Sequence, residues 1–568
     1  MKLQFCKQYF FIILLFFIFS NNQANSSNNH QSYSKENISN YFSALLAVKN
    51  DNITESLKYF EKVKELKKIH FPFIQEFTLA LVREKKIKEV VHFLRNLNKE
   101  STNFFEANIL LGSTFLINDQ YNLAVDKFNL ANENFEYSNF EKLIAKTLIN
   151  YTNVFENYKN ADKDLFKDFP KNFTLIHKAL LNCYLDNENV DYSFLKLINS
   201  ENINYTRYIY FYINYLLKKK RVNEAQIIIE KHTDVLANHL LLDQTKYWIN
   251  NGKVKQVTKI FDCQKPKHLV SEFFYLIANL YSSEELYNKS NFYLNLSLYF
   301  NPKFETNTAL LAENFLQMKK YNKSKKIYEN FDNKNFVFYW YAVKRITLIN
   351  KKISNEKIAI NFLENNFNQI EKPNIKIYFD MANFYKTFEK FEDSIKYYTQ
   401  VINDLNEKHP KYSEVLYQRG GSYERLKMWS NSDSDLLRSI EINSENPHVL
   451  NYLAYSWLER GHKIEEAMNM LVSAHNKKPN DPYITDSIAW AYFLVADYIK
   501  AEELIIQALK FLPSDPIIND HYGDILWKLN KNLQANYIWS YVLNMEETTL
   551  EIKEKIKTKL IFGLDKPS

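Results

Sequence analysis

The sequence predicts an all-α protein, an α-solenoid of antiparallel helix pairs closed by a carboxy-terminal capping helix. Three observations predict it. Ala467, Ala501 and Ala535 are spaced 34 residues apart, as are Pro479 and Pro513, and a fixed period of that size marks stacked repeats. Four residues beyond each alanine stands a large apolar side chain, Leu471, Ile505 and Trp539. Breakers are scarce: 568 residues hold 7 glycines and 12 prolines, which favours long helices.

The amino terminus is read first. MKLQFCKQ carries positive charge, Tyr9 to Phe19 is an apolar run, and SNNQANSSNN is small and polar. That order is the layout of a secretory signal over residues 1–20, with cleavage after Ser20 or as late as Ala24. The apolar run is shorter than the ~20 residues of a membrane span. The segment is either removed or retained as an anchor through which the chain associates with a membrane. Both outcomes export the rest, to the bacterial periplasm or the periplasmic face of the envelope. Cys6 precedes the apolar run, so no lipid anchor is expected. An Asn/Ser-rich disordered segment follows over 21–36.

From there the period organises the chain. Ser56, Val90 and Ala124 keep the spacing of 34, and Ala225, Val257, Ser290 and Ser324 follow at 32, 33 and 34. The i+4 positions are Phe60, Leu94, Phe128, Ile229, Phe261, Leu294, Tyr328, Tyr398, Leu436, Leu471, Ile505 and Trp539. An interval of four puts the small and the large residue on one helix face. The first helix of each unit supplies a matching notch about Gly112, Gly420 and Gly523. A larger residue there would hold the helices apart, at roughly 1–3 kcal/mol. Ala501 is therefore small because its partner helix fills the space, and Ala508 faces the next unit for the same reason. Over 132–200 and 331–371 the pattern is weak, and Ala161, Ser193 and Ala359 give the register that preserves the period. About fifteen helix pairs result between Tyr41 and Asn544.

LGSTF with YNLAVDKFNLA at 111–131, IANLYSSEELYNKSNFYLNLSLYFNP at 277–302, MANFYKTFEKFEDSIKYY at 381–398 and DSIAWAYFLVADYIKAEELIIQALKFLP at 486–513 resemble the tetratricopeptide repeat (TPR) family. The resemblance implies a right-handed superhelix whose first helices line a concave groove. It divides the chain into amino-terminal TPR units at 37–131, divergent helical repeats at 132–205, central TPR-like units at 206–371, well-matched TPR units at 372–545, and a capping helix and tail at 546–568. The block 446–543 also resembles bacterial envelope TPR proteins, among them an outer-membrane lipoprotein adaptor type that serves a carboxyl-terminal processing protease. The lipid-bearing cysteine of that type is missing here.

Several function classes are excluded or disfavoured. The glycines are too few and too scattered for a phosphate-cradling loop, and neither H-E-x-x-H nor G-x-S-x-G occurs, so no catalytic residue, cofactor or metal is expected. Net charge is +7, spread along the chain. The basic run KKKR at 218–221 reads as a solvated corner and not a nucleic-acid patch. SDSD at 432–435 and DNENVD at 186–191 read as solvated turns, the latter lacking the Gly and terminal Glu of a calcium loop. Cys183 and Cys263 are far apart with no C-x-x-C partner. They read as buried free thiols, although an exported location permits a disulfide.

What remains is binding. On the first helices of the last three units the side chains beside the packing positions are Tyr455, Asp486, Trp490, Asp520, His521, Asp524 and Trp527. Aromatic anchors among aspartates favour a partner segment with basic and apolar residues. Trp490 reads equally as packing between units. Asn451, Asp486 and Asp520 stand where a terminal-carboxylate clamp would need cations, so that activity is not carried over. The expected function is a non-catalytic scaffold or adaptor in envelope quality control or assembly, and the alternative is a structural part of an export apparatus for polysaccharide or protein. Its partners would be other proteins: a periplasmic protease, its substrates, or an envelope assembly complex.

Overall fold

The computed structural model describes residues 33–133, 138–156, 165–166, 169–200, 206–236 and 238–564. The signal segment, Cys6 and Ala161 lie outside the described residues. Among the described residues are thirty α-helices, two short 3-10 turns and no strand. They form two units, one of residues 33–234 and 238–359, the other of 360–564 together with Val235 and Leu236.

The first unit opens with α1 (Lys35–Lys49), α2 (Ile53–Lys62), α3 (Phe71–Arg83), α4 (Ile87–Arg95), α5 (Phe105–Leu116) and α6 (Tyr121–Glu133). It continues through α7 (Asn139–Glu156), α8 (Lys171–Leu185), α9 (Val190–Ile198), α10 (Thr206–Lys218), α11 (Val222–His232), α12 (Leu240–Asn250) and α13 (Val254–Ile260). It ends with α14 (Pro266–Ser283), α15 (Tyr287–Phe300), α16 (Glu305–Gln317), α17 (Tyr321–Tyr328) and α18 (Phe336–Ile353). The boundary between units falls within α19 (Glu356–Phe367). The second unit holds α20 (Ile375–Thr387), α21 (Phe391–Asp404), α22 (Tyr412–Arg425), α23 (Trp429–Ile442), α24 (Pro447–Glu459) and α25 (Ile464–Lys477). After these come α26 (Pro482–Leu494), α27 (Tyr498–Phe511), α28 (Pro516–Lys528), α29 (Asn532–Leu543) and the closing α30 (Leu550–Phe562). Fourteen complete pairs are described, plus α7 and α30.

The predicted register is the packing register. In each complete pair the small residue is the fourth of the second helix, from Ser56 in α2 to Ala535 in α29. All of these are buried except Ser193, which is half-exposed, and the large residue four positions on is buried in every pair. The glycine notches meet those large residues: a Cβ on Gly112 would lie 2.5 Å from the Phe128 ring, one on Gly420 would lie 2.9 Å from Leu436, and one on Gly523 would strike the Trp539 indole. Helix boundaries are equally local. Asn446, Asp481 and Asp515 each cap a first helix by accepting from backbone N–H groups, with proline next in sequence, the arrangement that satisfies orphan donors at a helix start. Most turns between paired helices place a left-handed residue two positions before the second helix, such as Asp51, Glu285, Ala496 and Asn530. Ile556 of α30 enters the cluster of Leu526, Ala535, Trp539 and Val542, covering the last apolar face.

The first unit departs from an open array. Repeats in a simple solenoid touch only their neighbours, but here α3 packs on α15. Asn295 donates to the Val82 carbonyl at 3.1 Å, Arg83 donates to Asn288 at 3.3 Å, and Lys323 pairs with Asp51 at 2.7 Å. The first pairs thus return onto helices some 200 residues later.

Other expectations are corrected. Cys183 and Cys263 form a disulfide with Cα atoms 5.8 Å apart; folding brings α8 to the turn after α13, which an 80-residue separation conceals. SDSD lies within α23 and not in a turn. Asp435 is buried against Arg419 at 2.7 Å and Asp433 pairs with Arg460 at 2.7 Å, so these acids face arginines and not water. In DNENVD, Asp186 pairs with Lys219 and Asp191 with Arg221, which also engages the basic run. The first helix begins at Lys35, inside the segment read as disordered.

Candidate functional site

Successive first helices of the second unit are joined by a ladder of side-chain bonds. Lys386 of α20 donates to the Gln418 side-chain oxygen of α22 at 2.9 Å. Tyr452 of α24 donates to Glu424 of α22 at 3.1 Å. The Trp490 indole N–H of α26 donates to Glu459 at 2.8 Å. His521 Nδ1 of α28 lies 2.8 Å from Asp486. Lys559 of α30 reaches Asp520 at 2.7 Å and both oxygens of Asp524 at 2.7 and 2.8 Å. Pairing across each step fixes the stack and satisfies groups that burial would otherwise penalise.

All seven predicted residues lie along this wall, on α24, α26 and α28. Trp490 is half-buried and stacked on Phe493 (4.6 Å, 13°) and His521 (4.1 Å, 17°), so it packs between repeats while remaining partly accessible. Asp486 and His521 are buried together. Burial opposes the imidazolium, but Asp486, helped by Asp520 and Asp524, outweighs it and raises His521 above its ordinary value. Asp524 is buried, accepts from the Trp539 indole at 3.1 Å, and is pushed up to about 6 by burial against the pull of Lys559. Trp527 lies 5.5 Å from Trp539 and packs on Gly563, where a Cβ would strike its ring. Tyr455 is half-buried; burial, then Glu459, Asp486 and Glu424, raise its hydroxyl well above the usual range. That hydroxyl has no hydrogen-bond partner among the described residues.

Sequence reasoning missed Glu424, Tyr452, Glu459 and Lys559. The signal was spacing: each bonds to a residue about one repeat away. The resulting surface alternates carboxylates with aromatic rings, an arrangement suited to holding cationic side chains. Among the described residues no group of His, Cys, Asp or Glu is placed to hold a metal ion, and no helix is long and apolar enough to cross a membrane.

No family model matches the chain. The TPR repeat-containing protein PA4667 of Pseudomonas aeruginosa is 29% identical over 125 residues, which is 22% of this chain and 21% of that protein. The match therefore spans about a fifth of that relative's length. Among solved structures, TTC0263, a thermophilic TPR protein of Thermus thermophilus, is 14% identical, covers 33% of this chain and all of its own, and has a TM-score of 0.30. MamA from Desulfovibrio magneticus RS-1 is 15% identical, covers 31% of this chain and 97% of its own, and has a TM-score of 0.26. Among the described residues the fold is an all-α array of antiparallel helix pairs.

Proposed function

We propose that this array of tetratricopeptide-type helix pairs is a non-catalytic, exported scaffold or adaptor. Its carboxy-terminal wall holds lysine-bearing segments of partner polypeptides, in envelope protein quality control or assembly. One observation carries the reading: the chain's own Lys559 is clasped by Asp520 and Asp524 beside Trp539. The same chemistry continues along the wall as the accessible Glu459 and Glu424 interleaved with Trp490, Tyr455 and Tyr452, where a partner's lysines find carboxylates and ring faces. Export is supported by the signal-like amino terminus and by the Cys183–Cys263 disulfide, a bond that persists in oxidising compartments.

The test is binding of an unstructured lysine-rich peptide to the full chain, followed by calorimetry. Binding should weaken at least about tenfold, about 1.4 kcal/mol, in Glu459→Lys, and should vanish when the peptide's lysines are acetylated. Equal affinity for the acetylated peptide would overturn the reading, as would hydrolysis of a peptide or sugar by the purified chain. Co-purification then separates two settings. An adaptor brings down a soluble protease or client, and an export component brings down a membrane channel or synthase.

A further inference from the structure

The closure of the first unit forms a partly open cavity. It has a volume of about 240 Å³ and lies where α3, α5, α7, α14 and α15 converge, with Glu76, Glu106, Glu141, Tyr281, Tyr293 and Phe292 among its lining. That is below the roughly 300–1,000 Å³ of drug-sized sites, so the occupant is small. An open array would not form this cavity, because α3 reaches α15 only through the return of the amino-terminal pairs.

The lining is arranged around unmatched acceptors. Glu141 is fixed by a reciprocal cap at the start of α7, where Ser138 N–H donates to its carboxylate at 2.9 Å and its own N–H donates to Ser138 Oγ at 3.2 Å. Glu106 sits in the first turn of α5, where its carboxylate has its own backbone N–H as a donor and, among the described residues, no hydrogen bond from another residue; Glu76 takes none. The two cations at the rim are already engaged. Arg83 bonds to Asp51 at 3.1 Å and to Asn288 at 3.3 Å, while Lys289 is 56% exposed and 3.8 Å from Glu141. Tyr281 and Tyr293 stack in parallel, 5.7 Å apart at 9°. Tyr293 is 4% exposed and Tyr281 8%, and among the described residues neither hydroxyl has a hydrogen-bond partner. Burial, more than any neighbour, raises Glu106, Glu76 and both tyrosines.

Two tyrosine hydroxyls and a partly buried carboxylate that no other residue engages face the pocket, able to accept hydrogen bonds from a ligand. The missing element is a compact cation with several N–H donors and an apolar stem. We propose that this cavity is a binding site for a primary ammonium group on a short aliphatic chain, with Glu106 as counter-ion, the Tyr293 and Tyr281 hydroxyls as acceptors, and the ring of Phe292 against the stem. An anion is disfavoured because carboxylates outnumber the two engaged cations. The site is separate from the carboxy-terminal wall and does not depend on the function proposed for it.

Two probes identify the source of the ammonium group: n-butylammonium for a free amine, and the blocked peptide Ac-Gly-Gly-Lys-Gly-Gly-NH2 for a polypeptide lysine. Calorimetry on the full chain should show saturable binding of butylammonium. Binding of the peptide as well assigns the site to polypeptide lysines, and its absence assigns it to free amines. Glu106→Gln should weaken butylammonium at least about tenfold, about 1.4 kcal/mol. Tyr293→Phe, which keeps the ring, should weaken it severalfold, and Glu459→Lys on the wall should leave it unchanged. If Glu106→Gln does not fold, Tyr293→Phe alone decides. No saturable binding of either probe to the unmodified chain, or undiminished binding in the cavity variants, overturns the proposal.

Discussion

Lys559, in the last turn of α30, holds Asp520 and Asp524 of α28 in one clasp, with all three N–O distances between 2.7 and 2.8 Å. Its side chain is 17% exposed and that of Asp524 only 7%, so the clasp is a largely desolvated ion pair. Removing one partner of such a pair strands the other.

Lys559→Met is therefore expected to cost about 3 kcal/mol and to release α30 from the last repeat. Adding Asp520→Asn and Asp524→Asn should recover most of the loss, because the stranded charge goes with them. Chemical denaturation of the three proteins checks this, and an unchanged midpoint in Lys559→Met would refute the clasp.

The serines at the register position should split into two classes. Ser324 and Ser394 donate to the carbonyls of Ala312 and Ala382 at 2.9 and 3.0 Å, whereas the buried hydroxyls of Ser56 and Ser432 have no partner. Substituting alanine should destabilise by about 1 kcal/mol at 324 and 394, and should stabilise by a similar amount at 56 and 432. At the same register Ala501→Leu should lower the thermal midpoint by overpacking, at roughly 1–3 kcal/mol, and Lys500→Ala should hardly move it. Thermal melts of the single variants decide both points.

Much of this was legible before folding. The spacing of Ala467, Ala501 and Ala535, and the notches at Gly112, Gly420 and Gly523, sit where sequence places them, because a period of packing is written in residue size. The disulfide between Cys183 and Cys263 and the contact of Val82 with Asn295 were not legible. They join residues 80 and 213 apart, and periodicity reports only on neighbouring repeats. The candidate wall was half legible. Asp486, Trp490, His521 and Asp524 were found by position, but their bonds across repeats, and the partners Glu459 and Lys559, emerge only once successive first helices lie side by side. The cavity at Glu106 and Tyr293 left no trace, since its walls come from helices that no local pattern connects.

Two histidines should give the units opposite responses to pH. His177 is buried, bonded to Tyr151 at 2.7 Å, and lowered by burial to about 3. The unfolded chain takes up a proton near pH 6.5 that the folded one refuses. Stability of the first unit should then fall as pH drops below 6.5, by about 1.4 kcal/mol per unit toward pH 3. His521 is raised, so its contribution is complete below the unfolded value of about 6.5 and is lost as pH rises through the folded value. Hydrogen exchange between pH 5 and pH 8 should show α8 gaining protection and α28 losing it. Parallel trends would contradict the assignment.

The disulfide closes an 80-residue separation, and replacing Cys183 and Cys263 together by alanine should cost roughly 2–5 kcal/mol. Reducing agent should lower the midpoint of the native protein to that of the double variant. A native midpoint indifferent to reduction would mean that the bond does not form.

Site-specific photocrosslinking in intact cells bears most directly on the wall as a binding surface. With benzoylphenylalanine at Glu459 or Trp490, a discrete crosslink to a polypeptide should form and should compete with added lysine-rich peptide, while Lys500 on the outer face should give none. Crosslinks of equal yield from both faces, or none from the wall, would show that the wall does not bind.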